Sequence, residues 1–243
     1  MVKVEISFDT TLTDLLRLRR GRKGLSILGR DASGTVLEFR LDAPAGLKDL
    51  IESVGIPHCE IGAVGGDLSS SDGLVLDGYH VNVAAVQPFF LPDVSFLCDG
   101  HLGRLARWLR LLGFDTLWDP AWSEAEVARR GVNEGRTVLS RSRSLLKRRE
   151  LTRAMLVRPD DPQEQVRQVA TRFLLAGREH RFSRCSVCNG EIEPVSKAEV
   201  LALIPPKTAV WLDDYYRCTG CGKLYWEGTH ADRLRAMFPD MAP

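Results

Sequence analysis

Two pairs of cysteines carry the clearest chemical signal in the sequence. They are Cys185-x-x-Cys188 and Cys218-x-x-Cys221, with glycines close by in the stretches CSVCNG and CTGCGK. Thiolates at this spacing bind zinc, and glycine relieves the tight main chain that must direct its amides at sulfur. Four thiolates leave no coordination position open to a substrate, so a bound zinc would be structural. The alternative is four unrelated reduced cysteines.

A single carboxylate marks a second candidate site. Asp99 follows the apolar run VSFLC and precedes a glycine that opens a helix. A carboxylate at a strand end can contact a hard cation such as Mg²⁺, which takes only one or two carboxylates from a protein. The alternative for Asp99 is a helix cap. Glu124 and Glu126 are further candidate acids at the start of a predicted helix over 123–130, although Ser123 and Glu126 also match a capping box.

Positive charge is concentrated in the middle third of the chain. Residues 92–182 carry a net charge of +5, whereas 1–91 carry −3 and 183–243 carry −1. Arginine dominates the cations of this segment, and its planar fork suits phosphate. The charge indicates a polyanionic partner such as RNA, against the alternatives of a solvated helix face or a genome rich in G and C. The candidate RNA-binding residues are Arg104, Arg107, Arg141, Arg143, Lys147, Arg148 and Arg149.

The elements that position these residues alternate between strand and helix. This order predicts a mainly parallel sheet with helices on its faces, and active residues collect at the carboxyl ends of such strands. Asp99 and the segment Ser140–Ser144 both follow strand candidates, and Asp161-Pro162 with Glu164 predicts the start of a later helix. On the helix after Asp99, leucines form the buried stripe, and the neighbouring face is expected to hold Arg104, Arg107 and Arg110.

The N-terminal part alternates apolar and polar residues in VKVEISFD and TVLEFRLDAP, as half-buried strands do. A helical pattern then ends at Gly55, and EIGAVGG and YHVNVAAV indicate two more strands. The basic stretch Arg17–Arg30 is interpreted as a connection. This α+β arrangement resembles a ubiquitin-like β-grasp of the sulfur-carrier branch. Sulfur carriers act through a free C-terminal Gly-Gly carboxylate, and here the chain continues past Pro88, so a docking role with a protein partner is expected instead.

Changes in the predicted secondary-structure pattern along the chain indicate three domains. They are a β-grasp domain over 1–91, an α/β domain with a mainly parallel sheet over 92–182, and a zinc ribbon over 183–243 with a β-hairpin or loop inserted between its cysteine pairs. With 44% hydrophobic and 27% charged residues, the composition is that of a soluble globular protein. No apolar run reaches the roughly 18 residues of a membrane span, and the N-terminus lacks a signal-peptide core, so a cytoplasmic location is expected.

Four stretches together resemble the Mut-seven C-terminal RNase family, in which a PIN-like nuclease domain is fused to a zinc ribbon. They are FLCDGHLGRLARWLRLLGFDT, TVLSRSRSLLKRRE, RFSRCSVCNGEIEPV and YYRCTGCGKLYWEGTH, in this order. The N-terminal part is similar to the ubiquitin-like domain that precedes the nuclease domain in bacterial members. The resemblance implies a PIN-like fold, clustered carboxylates that bind Mg²⁺ or Mn²⁺, and RNA as the substrate.

Residue by residue, the resemblance makes Asp99 the first-strand metal carboxylate of the family. A later strand of the family ends in Thr-Arg-Asp-Arg, whereas this chain has Ser140-Arg141-Ser142-Arg143. Ser142 stands where an Asp is expected, and a hydroxyl brings no charge to offset a cation.

Three hypotheses about function follow. The first is a metal-dependent ribonuclease acting on structured RNA such as tRNA, with Asp99, Glu124, Glu126 and Ser142 as site residues. The second is a catalytically weak or inactive RNA-binding protein associated with tRNA or the ribosome, because Ser142 leaves the acidic cluster incomplete. The third is a scaffold whose β-grasp domain recruits another protein.

Overall fold

A computed structural model describes residues 1–18, 23–178 and 183–226. By internal contact the chain forms two compact units. The first comprises Met1–Gln87 together with Ser140–Leu156, and the second comprises Pro88–Leu139 together with the described residues from Val157 onward. The division into three domains drawn from the sequence stays a prediction.

The described elements, in chain order, are as follows: β1 (Val2–Phe8), α1 (Thr10–Thr13), β2 (Leu25–Asp31), β3 (Gly34–Leu41), β4 (Ala45–Gly46), α2 (Leu47–Ser53), β5 (Ile61–Gly66), β6 (Leu74–Val75), β7 (His80–Ala85), β8 (Ser95–Cys98), α3 (Gly103–Leu111), β9 (Asp115–Leu117), α4 (Glu124–Asn133), β10 (Thr137–Ser140), α5 (Arg143–Leu146), β11 (Ala154–Leu156), α6 (Pro162–Arg172), β12 (Ile192–Val195), α7 (Lys197–Val200), α8 (Pro206–Trp211), β13 (Tyr215–Cys218) and β14 (Leu224–Trp226).

The first unit contains the predicted β-grasp-like sheet. Its five strands lie in the order β2-β3-β1-β7-β5, with β1 parallel to β7 and antiparallel to β3. The alternation read from the sequence is present in β1, where Val4, Ile6 and Phe8 are buried. The helix α2 contributes Leu47 and Ile51 to the core. The α+β prediction for this part of the chain is confirmed.

One strand of this sheet was missed by the sequence interpretation. The stretch Arg17–Arg30 was interpreted as a connection, but β2 occupies Leu25–Asp31 and pairs with β3 as an edge strand. Almost every residue of β2 is exposed, so neither of its faces is buried. A strand without a buried face lacks the period-two hydrophobic alternation by which strands are recognised.

The second unit contains the predicted parallel sheet. The strand β8 pairs in parallel with both β9 and β10. Three of the four residues of β8 and all four of β10 are buried, as expected for strands covered on both faces. The predicted helix starts are also present: the side chain of Ser123 caps α4, and that of Asp161 caps α6.

The cysteine-containing lobe of the second unit is built on an antiparallel sheet in the order β12-β13-β14. The insertion between the cysteine pairs holds the short helices α7 and α8, rather than only the β-hairpin or loop that the sequence suggested. Val200, Ile204 and Tyr215 form the small apolar core that seats these helices. In the described parts of the chain, no helix is long and apolar enough to cross a bilayer.

Candidate functional site

Asp99 lies directly after β8, the strand between β9 and β10, and is only 5% exposed. Its amide donates to the carbonyl of Leu139 at 3.1 Å, which continues the pairing with β10. Its Oδ1 accepts a hydrogen bond from the amide of His101 at 2.9 Å and so caps the 3-10 turn Gly100–Leu102. The carboxylate is therefore a cap, as one reading of the sequence expected, and it also stands at the carboxyl end of a buried parallel strand.

A tryptophan that sequence reasoning did not single out supports this turn. The indole Nε1 of Trp118 donates to the carbonyl of Gly100 at 3.3 Å. The ring also lies over Gly103, where an added Cβ would be 2.5 Å from Trp118 Cζ2. Glycine at position 103 is required for this close approach, and the packing sets the direction in which the chain leaves Asp99.

The two glutamates at the start of α4 have different environments. Glu124 is exposed at the first position of the helix. Both carboxylate oxygens of Glu126 accept hydrogen bonds from arginines, at 2.7 and 2.9 Å from Arg129 and at 2.7 Å from Arg130. Hydrogen bonds from Arg129 and then Arg130 lower the pKa of Glu126 to about 2. An ion at Glu126 would have to displace a guanidinium.

The acids described in the structure do not form a complete metal cluster. Within residues 1–18, 23–178 and 183–226, the four cysteines form the one group of three or more His, Cys, Asp or Glu side chains that could hold an ion. A resident Mg²⁺ or Mn²⁺ site with several carboxylates thus does not fit these residues.

Ser142 caps the short helix α5. Its Oγ accepts from the amide of Leu145 at 3.3 Å and lies 2.7 Å from the Oγ of Ser144. Its own amide donates to the Oγ of Ser140 at 2.8 Å. The local geometry is an N-cap, a position that Asp also occupies well. The side chain that replaces the family's Asp therefore has a structural role of its own.

The candidate RNA-binding cations fall into two groups by their surroundings. Arg148 is half-buried and lies 3.4 Å from Glu150. Arg143 and Lys147 are half-buried and donate to main-chain carbonyls of the first unit. The others are exposed to solvent, and we call them the exposed arginines: Arg104, Arg107, Arg141 and Arg149.

Arg110 differs from the expectation that placed it beside Arg104 and Arg107. It is 3% exposed, and its guanidinium donates hydrogen bonds to main-chain carbonyls. The Nε donates to Thr116 at 2.7 Å, and Nη1 donates to Val187 at 2.8 Å and to Ser186 at 3.4 Å. Arg110 therefore joins α3 and β9 to the first cysteine pair and is not a phosphate contact.

The four cysteines have the geometry of a zinc site. Their ligand atoms all lie within 4.8 Å of one another, with 3.6 Å between the sulfurs of Cys185 and Cys221 and 3.4 Å between those of Cys188 and Cys218. Tetrahedral zinc, with Zn–S bonds of about 2.3 Å, would place its sulfurs about 3.8 Å apart. The cluster is compatible with structural zinc. A Cβ at Gly190 would lie 3.1 Å from Cys218 Sγ, which explains the glycine in the first pair.

Hydrogen bonds around Cys185 favour the thiolate form that zinc requires, whereas burial and the neighbouring cysteines raise the pKa of the Cys188 and Cys221 thiols. Burial raises the pKa of the Cys185 thiol, but hydrogen bonds from the amide of Cys188, the hydroxyl of Tyr225 and the amide of Val187 outweigh burial and bring the pKa to about 6. The Tyr225 hydroxyl lies 3.0 Å from Cys185 Sγ. Trp226 packs edge-on against Tyr215, with ring centroids 6.3 Å apart. Tyr225, Trp226 and Tyr215 therefore contribute to the internal packing of the cysteine lobe.

The first cysteine pair is bonded to the edge of the parallel sheet. Asn189 adopts a left-handed φ of 66°, its Oδ1 accepts from the amide of Thr116 at 3.0 Å, and its Nδ2 donates to Asp115 at 2.7 Å. Asp115 also accepts two hydrogen bonds from Arg136, at 2.9 and 3.1 Å. The amide of Thr116 would otherwise be unpaired at the sheet edge, so the cysteine lobe completes β9.

Comparison with known families agrees with this architecture. Residues 94–238 match the family model of the Mut7-C RNAse domain, and residues 1–90 match that of the Mut7-C ubiquitin domain. No curated protein and no solved structure shows significant similarity to the chain. The first match covers more than half of the chain and includes both Asp99 and the four cysteines. The protein therefore belongs to the Mut7-C RNase family and carries the family's ubiquitin-like domain ahead of its RNase domain, which indicates a nuclease-type role in RNA processing.

Proposed function

We propose that the protein is a ribonuclease for structured RNA such as tRNA. Because its acidic cluster is incomplete, the protein would bind RNA well and cleave it slowly. One observation carries the proposal: within the RNase-family match, a buried carboxylate, Asp99, stands at the carboxyl end of the strand between two parallel neighbours. Catalytic residues of parallel α/β sheets collect at this edge.

RNA binding would rest on cations that are open to solvent. The exposed arginines present planar guanidinium groups, which donate two parallel hydrogen bonds to phosphate oxygens. Phosphate contacts of this kind depend on salt and carry little sequence information. Recognition would therefore come from the shape of the RNA, as is usual for structured RNA.

Metal dependence is part of the proposal. Asp99 would hold Mg²⁺ or Mn²⁺, and the ion when bound would supply activation of water and positive charge in the transition state. Asp99 would contribute a carboxylate already held in place by its capping bond to His101. Ser142 brings no charge at the position where the resemblance expects an Asp, and Glu126 is occupied by Arg129 and Arg130. The weak acidic set is the reason to expect slow cleavage.

A second candidate is an RNA-binding protein without cleavage, acting on tRNA or at the ribosome. The specific observation in its favour is the lack, among the described residues, of any group of three carboxylates around Asp99. Both candidates predict the same RNA affinity and the same dependence on salt. They differ in whether metal ions produce cut RNA.

The test compares Asp99→Asn with Asp161→Asn on a transcribed tRNA in Mg²⁺ and in Mn²⁺. Both residues cap a helical turn, and Asn preserves the cap, so Asp161→Asn controls for the loss of a capping charge. We expect both proteins to bind the RNA, and we expect cleavage to be lost only in Asp99→Asn. Undiminished cleavage by Asp99→Asn would overturn the role of Asp99. RNA binding without cleavage by the wild type would establish the second candidate.

A further inference from the structure

The segment Ser140–Leu156 belongs to one family match by sequence and packs with the other in the structure. By sequence it lies inside the RNase-family match, and it contains Arg141, Ser142 and Arg149. By contact it belongs to the same compact unit as the ubiquitin-like domain. The bonds that hold it are mostly between side chains and main-chain groups far apart in the sequence.

Two cations of the segment bind carbonyls at the end of α2 and nearby. Arg143 donates to the carbonyl of Leu15 at 2.7 Å and to that of Gly55, and Lys147 donates to that of Glu52. The last carbonyls of a helix lack intrahelical partners and carry partial negative charge, so cations are stabilised there. Burial lowers the pKa of both Arg143 and Lys147, which shows that their charges are partly withdrawn from water.

Two side chains of the ubiquitin-like domain bind the segment in return. His58 lies 2.7 Å from Glu52 Oε1 through Nδ1 and 2.9 Å from the carbonyl of Leu151 through Nε2. Glu60 is 4% exposed, and its Oε1 accepts from the amide of Leu156 in β11 at 2.7 Å. A buried carboxylate is costly unless it is bonded, so the bond between Glu60 and Leu156 is specific for this packing.

We propose that the turn His58–Glu60 and the end of α2 form an intramolecular docking surface for the segment Ser140–Leu156. His58 and Glu60 are then positioning residues, because they hold the main chain that presents Arg141, Ser142 and Arg149. Recruitment of another protein by the ubiquitin-like domain stays a prediction. The effect on RNA rests on the proposed function, whereas the docking does not.

The first test is hydrogen–deuterium exchange of the full chain without RNA. His58→Ala removes the bond to Leu151, and Glu60→Leu removes the acceptor for Leu156. Because each variant loses a hydrogen bond to the segment, from His58 to Leu151 or from Leu156 to Glu60, we expect exchange within 140–156 to become about fivefold faster or more. His80→Ala is the matched control, since His80 also pairs with a glutamate, Glu5, at 3.1 Å but is exposed on another strand. Glu60→Gln keeps an acceptor and should retain slow exchange.

The second test measures the affinity of the same variants for a transcribed tRNA at low salt. We expect His58→Ala and Glu60→Leu to bind several-fold more weakly, and His80→Ala and Glu60→Gln to bind like the wild type. Unchanged exchange in 140–156 would overturn the docking surface. Faster exchange with unchanged affinity would overturn the positioning role. A wild-type protein that binds no RNA would refute the proposed function, while the exchange result would still decide the docking.

Discussion

Replacing Arg110 by Met should separate the cysteine lobe from the parallel sheet. Methionine keeps most of the aliphatic volume of the side chain. It leaves the carbonyls of Thr116 and Val187 without the arginine donor from which they accept at 2.7 and 2.8 Å. A hydrogen bond from a charged donor contributes about 1.5–3 kcal/mol, so losing two of them should cost about 3–6 kcal/mol. The third contact, at 3.4 Å to Ser186, adds little.

Urea unfolding followed by tryptophan fluorescence measures this cost. All five tryptophans lie beyond residue 88, so their emission reports the second unit. Arg107→Met is the matched control, because Arg107 is on the same helix but exposed. We expect the control to change the free energy of unfolding by less than about 0.5 kcal/mol, as surface substitutions usually do. A loss below about 1 kcal/mol in Arg110→Met would refute the reasoning that these bonds join α3 to the lobe.

Two further predictions concern the metal and the RNA. The purified protein should contain one zinc per chain, and the double variant Cys185→Ser, Cys218→Ser should contain none. Because metal binding and folding of such lobes are coupled, chelation should speed amide exchange in the lobe and at Thr116 but leave β1 protected. Replacing all four exposed arginines by Ala should weaken binding to many RNA sequences alike, by roughly tenfold or more, and flatten the dependence of log K on log salt.

Specific results would contradict the zinc and RNA predictions. An unchanged zinc content in the double serine variant would show that the cysteines are not the ligands. If chelation left exchange at Thr116 unaltered, the bond from Asn189 would not couple the lobe to the sheet. An unchanged salt slope after the arginine replacements would make those side chains ordinary solvated surface.

Features encoded by local spacing could be predicted from the sequence. The cysteine pairs, the caps at Ser123 and Asp161, and the alternation of strand and helix all depend on residues within a few positions of one another. The position of Asp99 at a strand end followed in the same way. These are the signals that short-range periodicity and turn chemistry leave in a sequence.

Features that depend on distant partners could not be predicted. Arg110 has the same three-residue spacing as Arg104 and Arg107, and its bond to Val187, 77 positions later, leaves no local pattern in the sequence. Glu60 and Leu156 are 96 positions apart, and no local pattern indicates that they meet. The insertion between the cysteine pairs became partly helical around Val200 and Tyr215, a core too small to give a clear periodic signal.

Cleavage by Ser142→Asp, compared with the wild type on one tRNA at fixed Mg²⁺ and ionic strength, tests the central claim most directly. Asp should preserve the N-cap of α5 and restore the charge that the family pattern has at this position. The account predicts cleavage faster by on the order of 10- to 100-fold, lost again when Asp99→Asn is added. A wild type that cleaves with multiple turnovers, and a Ser142→Asp variant no faster, would contradict the incomplete acidic cluster.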